Sequence, residues 1–340
     1  MKAALIDHYG SNDAVRVADI AVPTVGATDL LVRVHAASVN PVDIRTRDGK
    51  LKTLLKYRFP LVLGNDLAGV VSDLGVQVTR FRKGDAVYAR VDPNRIGTFA
   101  EFALVRDGAA ALKPANVTFE EAASLPLVAL TAWQALVEIG RLAANQRVLI
   151  HAGSGGVGSV AIQLARHLGA TVITTVGKRN VELVKRLGAN VAIDYRGERF
   201  EDLARDCDVV LDSAGGDTLV RSFECVKPGG VVVSINSSTP SPAFARSWGL
   251  NPLIVLAIRV LSRKALAAAR KHKARYEYFF VRADGAQLSD ITRLVEGGAI
   301  KPVVDRVFPL EHVRDALAYS ASGRATGKVV VKVGEAAPAA

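Results

Sequence analysis

The chain has 340 residues, 49% of them hydrophobic and 23% charged, with a formal net charge of +11. That length accommodates two domains with ample core, and the composition is that of a globular protein, not a disordered or fibrous one. The two cysteines, Cys207 and Cys225, have no Cys-x-x-Cys spacing, which argues against a disulfide framework or a structural zinc cluster.

Both cysteines read as small buried apolar residues of a reducing compartment, and a cytoplasmic chain is the expectation. The opening Met1–Ile6 reads as a strand without a signal-type apolar segment. No apolar run reaches the ~18 residues that a membrane span needs.

Residues 1–107 are β-rich. Strands are predicted at Ala3–Asp7, Val15–Ile20, Asp29–Ser38, Gly69–Leu74, Ala86–Ala89 and Ala100–Val105, punctuated by Gly, Pro, Asn and Asp as in a barrel or sandwich. From Thr118 the character changes. Thr118-x-x-Glu121 has capping-box form and opens a short helix, and Leu130–Leu142 reads as an amphipathic helix. Strands at 147–151, 171–175, 191–193, 208–211 and 231–235 then alternate with helices at 157–168, 180–187, 199–205 and 216–225. This alternation predicts a parallel, doubly wound α/β sheet. Tyr276–Val281 is a further strand candidate, and Gln287–Glu296 is a helix ended by Gly297-Gly298. The tail returns to strands at Val303–Phe308 and Lys328–Val333 around a helix at 311–321, and residues 335–340 are expected to fray.

The strand Val148–Ile150 runs directly into Gly153-x-Gly155-x-x-Gly158, and a helical stretch follows at once. Glycines alone are a weak signal; a strand before them and a helix after them form the dinucleotide fingerprint. Gly153 is expected to allow the sharp turn, Gly155 the approach of a pyrophosphate, and Gly158 close packing of helix on strand. The helix N-terminus offers N–H groups and partial positive charge to phosphates. The second strand ends Thr175-Val176-Gly177-Lys178-Arg179, where a carboxylate would select NAD. Two cations stand there instead. Lys178 and Arg179 read as partners of a 2′-phosphate, which makes NADPH (NADP) the expected cofactor, although charged first-turn residues are also commonly just solvated. Tyr195, after the third strand, is expected near the adenine ribose or phosphate.

The chain resembles the medium-chain dehydrogenase/reductase superfamily over nearly its full length. The resemblance rests on Ser38–Asp43, Leu63–Val71, Gly97–Glu101, Ala122–Pro126 with Leu130–Trp133, the glycine fingerprint and Gly327–Val330. Within that superfamily it is similar to the zinc-free NADPH quinone oxidoreductase branch, and Tyr276–Val281 and Val303–Pro309 resemble in particular the reticulon-interacting mitochondrial oxidoreductases. The resemblance implies a GroES-like β-barrel catalytic domain (1–124 and 285–340), an inserted Rossmann domain (125–284), a cleft site between them and a homodimer. It implies hydride transfer from NADPH to a quinone or α,β-unsaturated carbonyl (enone). By position, Ser154, Gly155, Gly156 and Val157 would hold the pyrophosphate and Thr131 would lie near the nicotinamide-side phosphate. Asn236, Phe279, Phe280 and Val281 would line the nicotinamide end, and Lys328 would approach the cofactor from the tail. Asn40 matches an active-site position and could donate to the substrate carbonyl, and Tyr57 is the nearest phenol. Where the superfamily's alcohol dehydrogenases place a Cys and a His-Glu pair, this chain has Asp43 and Asn65-Asp66. With no zinc expected, conjugated acceptors suit the site better than alcohols.

Residues 225–276 hold nine Lys and Arg and no Asp or Glu. Sparse aromatic interleaving argues against nucleic acid. Asn251-Pro252 followed by 253–275 reads as one N-capped helix, apolar then basic. A packing or dimer-contact helix is favoured over an interfacial membrane helix. Two other functions stay open at this level: an enoyl-thioester (CoA or carrier-protein) reductase, and an NADPH-binding regulatory or scaffold protein.

Overall fold

A computed structural model describes residues 1–236 and 239–334; the end from Glu335, expected to fray, lies outside the described residues. The chain forms two compact units, Met1–Leu130 with the chain from Arg282 onward, and Thr131–Val281. The first unit opens with strands β1 (Lys2–Ile6), β2 (Val15–Asp19), β3 (Asp29–Val39), β4 (Leu61–Val62), β5 (Asp66–Leu74), β6 (Ala86–Arg90), β7 (Phe102–Arg106) and β8 (Ala110–Leu112). The second carries β9 (Arg147–Ile150), β10 (Thr171–Val176), β11 (Val191–Asp194), β12 (Cys207–Asp212), β13 (Val226–Ser234) and β14 (Arg275–Tyr278). The first resumes with β15 (Val304–Pro309) and β16 (Lys328–Lys332).

In the first unit β3 is the central strand. It pairs antiparallel with β5 from Leu30 to Ser38, with β7 over Asp29–Arg33 and with β16 over Ala36–Val39. That threefold pairing is why its residues are buried almost throughout, and why it reads as a near-continuous apolar run. The sheet order is β15-β16-β3-β5-β6-β8, with β7 also on β3, so a strand from the end of the chain sits beside one from its beginning. A smaller sheet, β2-β1-β4, completes the β-rich unit.

One helix here has no counterpart among the expected elements. Pro41–Arg47 follows β3 at once, with Pro41 at its first position and the Asp43 carboxylate accepting the Asn40 N–H at 2.7 Å. Asn-Pro-x-Asp carries both an N-cap residue and an acid three positions on, so the signal was present. The Thr118–Glu121 capping box forms as expected, with Glu121 N–H on the Thr118 hydroxyl and Thr118 N–H on the Glu121 carboxylate.

In the second unit every pairing is parallel, in the order β11-β10-β9-β12-β13-β14. This is the 3-2-1-4-5-6 winding, in which ligands sit beyond the carboxyl ends of the strands. Val148, Leu149 and Ile150 of β9 are wholly buried, since β9 has a strand on each side and helices cover the sheet.

Three expectations need correction. The helix read at Leu130–Leu142 begins at Pro126, ends at Trp133 and continues as a wider π-type turn over Gln134–Ile139. It is buried nearly all round, so apolar residues on every side, not an amphipathic stripe, mark it. The segment 253–275 is two helices, Pro252–Leu261 and Arg263–Lys271, parted at Ser262, whose buried hydroxyl donates to Ile258 O at 2.8 Å. Asn251 does cap the first, accepting from Leu253 N–H at 2.8 Å. Finally, the strand read at Tyr276–Val281 is β14 and stops at Tyr278, leaving Phe279, Phe280 and Val281 outside the sheet.

Tyr88 on β6 is fully buried, and its hydroxyl donates to Leu288 O at 2.7 Å, 3.0 Å from the Thr292 hydroxyl, on the helix Gly285–Glu296. Removing the hydroxyl leaves that buried carbonyl short of a donor. Tyr88→Phe is expected to lower unfolding stability by about 1–2 kcal/mol, read as a lower urea midpoint with unchanged slope.

Candidate active site

The fingerprint glycines lie between β9 and the helix Gly156–His167, and each has a local reason. The left-handed position of the turn is Ala152, at φ +55°. Gly153 is required by packing: a Cβ there would lie 2.1 Å from the Thr174 hydroxyl oxygen of β10, which itself donates to Ile150 O at 2.7 Å. A Cβ on Gly158 would lie 2.3 Å from Ala152 O, so the helix presses onto the turn. Gly155 differs. A Cβ there would meet only Ala152 O, at 3.3 Å, and its extended backbone forms the N-cap of the helix. The N–H groups of Gly156, Val157 and Gly158 are those a helix leaves without intrahelical acceptors, at its positive end. The cradle fits a pyrophosphate.

Around it stand the other expected cofactor residues of this unit. The Ser154 hydroxyl accepts from the Asn180 amide at 3.0 Å. Lys178 and Arg179 lie in the turn Lys178–Asn180 just past β10, both exposed. Tyr195, past β11, is 56% exposed, with its ring against Gly177 and the Arg196 guanidinium over it at 5.7 Å. Ser154, Lys178, Arg179 and Tyr195 therefore gather at the carboxyl ends of three adjacent parallel strands. Asn236, past β13, donates its side-chain amide to Ser213 O at 3.2 Å and Ala214 O at 2.9 Å.

That turn has an organiser which sequence reasoning missed. Asp212, the last residue of β12, is buried; one carboxylate oxygen accepts from Ala214 and Gly215 N–H and the other from the Ser234 hydroxyl. Burial pushes its carboxyl upward against these three donors. Asp followed by Ser-Ala-Gly-Gly is an Asx-turn pattern and could have marked it. Thr131 is buried in the helix Pro126–Trp133. Phe280 packs edge-on against Trp248 at 5.6 Å, in an aromatic group with Phe244 and Tyr278, while Phe279 and Val281 are half-buried.

In the first unit, Asn40, Asp43, Asn65, Asp66 and Lys328 form one buried polar network. Lys328, the first residue of β16, donates to Val39 O at 2.7 Å and to the Asn40 side-chain oxygen at 2.6 Å, and lies 3.9 Å from the Asp66 carboxylate. Asp66 also accepts from the Ser38 hydroxyl at 2.8 Å, the Asn40 amide at 2.9 Å and Leu127 N–H at 3.0 Å. Asn65 donates to Asp43 at 2.7 Å. Burial works to lower the pKa of Lys328 and to raise that of Asp66, and their mutual attraction opposes both shifts. The Asp43 carboxyl is pushed up to about 7 by burial, against the donors Asn65 and Asn40.

These contacts change what was expected of three residues. Both hydrogens of the Asn40 amide already have acceptors, Ser38 O and Asp66, so it is not poised as a free donor to a substrate carbonyl. Lys328 directs its ammonium into the network. The Tyr57 hydroxyl donates to Pro93 O at 2.5 Å, and burial raises its pKa, so its proton is held. The network does not fit a zinc ion either. Its carboxylates already take hydrogen bonds, a buried ammonium would adjoin the metal, and the thiols of Cys207 and Cys225 are buried in the other unit's sheet core. Among the described residues no group of three or more His, Cys, Asp or Glu is arranged to hold a metal.

His151 begins the glycine turn and is buried, its ring nitrogens 3.0 Å from the Thr175 hydroxyl and 2.9 Å from the Ser222 hydroxyl. Burial lowers its pKa to about 4. Because the folded value lies below the unfolded one, the unfolded chain takes the proton first, and stability falls as pH drops from about 6.5 towards 4. Against His151→Gln, the native chain is expected to lose up to about 3 kcal/mol more over that window, read by denaturant titrations at stepped pH.

Residues 26–115 match the model of the alcohol dehydrogenase GroES-like domain, and residues 187–331 match that of a zinc-binding dehydrogenase domain. The chain is 35% identical to NAD(P)H oxidoreductase RTN4IP1, mitochondrial, of Bos taurus, covering 98% of this chain and 89% of that one. It is 36% identical to the chloroplastic NADPH-dependent alkenal/one oxidoreductase of Arabidopsis thaliana, covering 97% and 79%. The quinone oxidoreductase structure from Coxiella burnetii superposes with a TM-score of 0.86 at 32% identity, covering 98% and 99%. Fingerprint, winding and full-length similarity agree: the chain belongs to the medium-chain dehydrogenase/reductase superfamily, in the branch that holds these oxidoreductases.

Proposed function

We propose that the chain is a zinc-independent NADPH oxidoreductase that reduces quinones or α,β-unsaturated carbonyl compounds. One observation carries the reading. The Gly155-capped helix, Ser154 and the paired cations Lys178 and Arg179 converge at the carboxyl ends of β9 and β10, with no carboxylate among them. Relatives named for NADPH, alkenals and quinones support the acceptor class.

Bound NADPH supplies a hydride. The first-turn N–H groups hold the pyrophosphate, and Arg179, with a planar fork matched to phosphate, holds the 2′-phosphate with Lys178 beside it. Asp212 and Asn236 keep the turn after β12 in one conformation at the same end of the sheet. In the first unit the Lys328–Asn40–Asp66 network fixes the end of β3 through hydrogen bonds. A conjugated acceptor suits such a site, because its gained electron pair spreads onto an oxygen that hydrogen bonds can stabilise. The oxygen or carbon that gains the pair takes its proton from water, since Tyr57 has committed its own. A homodimer joined through β14, the last strand of its sheet, and a cytoplasmic setting belong to the same reading; the buried, unbridged cysteines support the latter.

Arg179→Ala is expected to raise the KM for NADPH about tenfold while leaving that for NADH nearly unchanged. A wild-type preference for NADH would overturn the cofactor assignment. Turnover of NADPH is expected with 9,10-phenanthrenequinone or an alkenal and not with crotonyl-CoA. Turnover with crotonyl-CoA alone makes the chain a thioester reductase, and turnover with none of the three makes the bound nucleotide regulatory.

A further inference from the structure

The helix Pro252–Leu261 is almost wholly apolar in sequence, yet of its side chains only Ile258 is buried. Leu253 is 76% exposed, Leu256 58%, Val260 54% and Leu261 68%. Four large aliphatic side chains on one short helix form a contiguous patch, not the scattered single exposures that any surface carries. The next helix, Arg263–Lys271, anchors the pair: Ala265 and Ala269 pack into the core beside Phe223, while Arg263, Lys264, Arg270 and Lys271 face outward. Leu256, Val260 and Leu266 line a shallow groove together with Arg259, Arg263 and Arg270. Among the described residues no acidic side chain pairs with those three arginines, and the sequence has none from 225 to 276.

We propose that this face seats the protein on an anionic lipid surface, with Leu253, Leu256, Val260 and Leu261 entering the acyl boundary and Arg259, Arg263 and Arg270 binding lipid phosphates. Charge complementarity selects the occupant. A two-fold contact with a second copy would set this cation-rich segment, which has no acid of its own from 225 to 276, against itself, with like charges apposed. An anionic bilayer offers an apolar interior for the aliphatic side chains and phosphates at the depth of the guanidinium groups. Guanidinium groups match phosphate oxygens in bidentate fashion, and all three are exposed to do so. No helix of the described residues is long and apolar enough to cross a membrane, so the contact is with the surface.

The test is flotation of the full chain with vesicles of phosphatidylcholine alone and of phosphatidylcholine with phosphatidylglycerol, at low and high salt. The expected result is binding to the anionic vesicles only, released by salt. In Leu256→Glu/Val260→Glu and in Arg263→Glu/Arg270→Glu, binding is expected to fall about tenfold or more. NADPH oxidation, melting temperature and sedimentation coefficient are expected to stay unchanged, because these side chains are exposed. Absence of binding at low salt overturns the proposal, as does binding that survives both double substitutions. A drop in oligomeric state in Leu256→Glu/Val260→Glu would give the face to a second copy. Retention on an acidic protein matrix without any vesicle binding would give it to an acidic protein partner.

Discussion

The buried ammonium of Lys328 is the interaction on which the first unit is built. It meets the end of β3 through Val39 O and Asn40 and lies beside Asp66 at the start of β5. An ammonium removed from water without partners costs several kcal/mol, so the last strand is acceptable only where those partners are waiting. Sliding β16 by one residue would turn Lys328 away from Asp66 and send Val329, Val330 and Val331 to the opposite faces of the sheet. Charge and pattern specify the same register. Asp66 extends the tie to Leu127, and Asp43 with Asn65 holds the first turn of the helix that follows β3. The carboxylates at this place thus hold the backbone of Asn40 and Leu127 and the side chains of Ser38, Asn40 and Asn65.

The second unit rests on steric closeness. Gly153 and Gly158 let the turn, β10 and the helix meet at separations no Cβ would permit. Gly155 faces the open side. The fingerprint thus contains two glycines of packing and one of access, and only the last bears directly on what approaches from outside. At the same end of the sheet, polar side chains complete the frame: Asp212 under its turn, Asn236 across it and Asn180 on Ser154.

Local signals were legible in the sequence where one stretch carried the whole cause. The alternation behind the parallel sheet, the capping box at Thr118 and the Asn251 cap are of this kind, each complete within a few residues. Causes that depend on distant partners were not legible. The resemblance implied a donor role for Asn40, but the groups that take its hydrogens and load its oxygen lie on β3, β5 and β16, the last 288 residues away. The break at Ser262 had no glycine or proline to announce it. The second helix turns two alanines into the sheet core, while the first rests on the preceding helix Pro242–Ser247 and buries only Ile258. The helix after β3 is the exception: its cap is local, with Asn40 and Asp43 within its first turn.

The insertion of one unit within the other also orders events on the ribosome. The second unit is continuous, so its six strands can close as soon as Val281 has emerged. The first cannot. Between synthesis of Asn40 and Lys328, at ~5–20 residues per second, about a quarter of a minute to a minute passes. During it β3 shows an unpaired edge along Ala36–Val39, and Asp66 lacks its cation. An open strand edge is an invitation to wrong pairing. The nascent chain therefore carries a finished nucleotide-binding half while its front half awaits the strands that follow Val281, β16 last of all, and a chain that stops before β16 keeps the former and forfeits the latter.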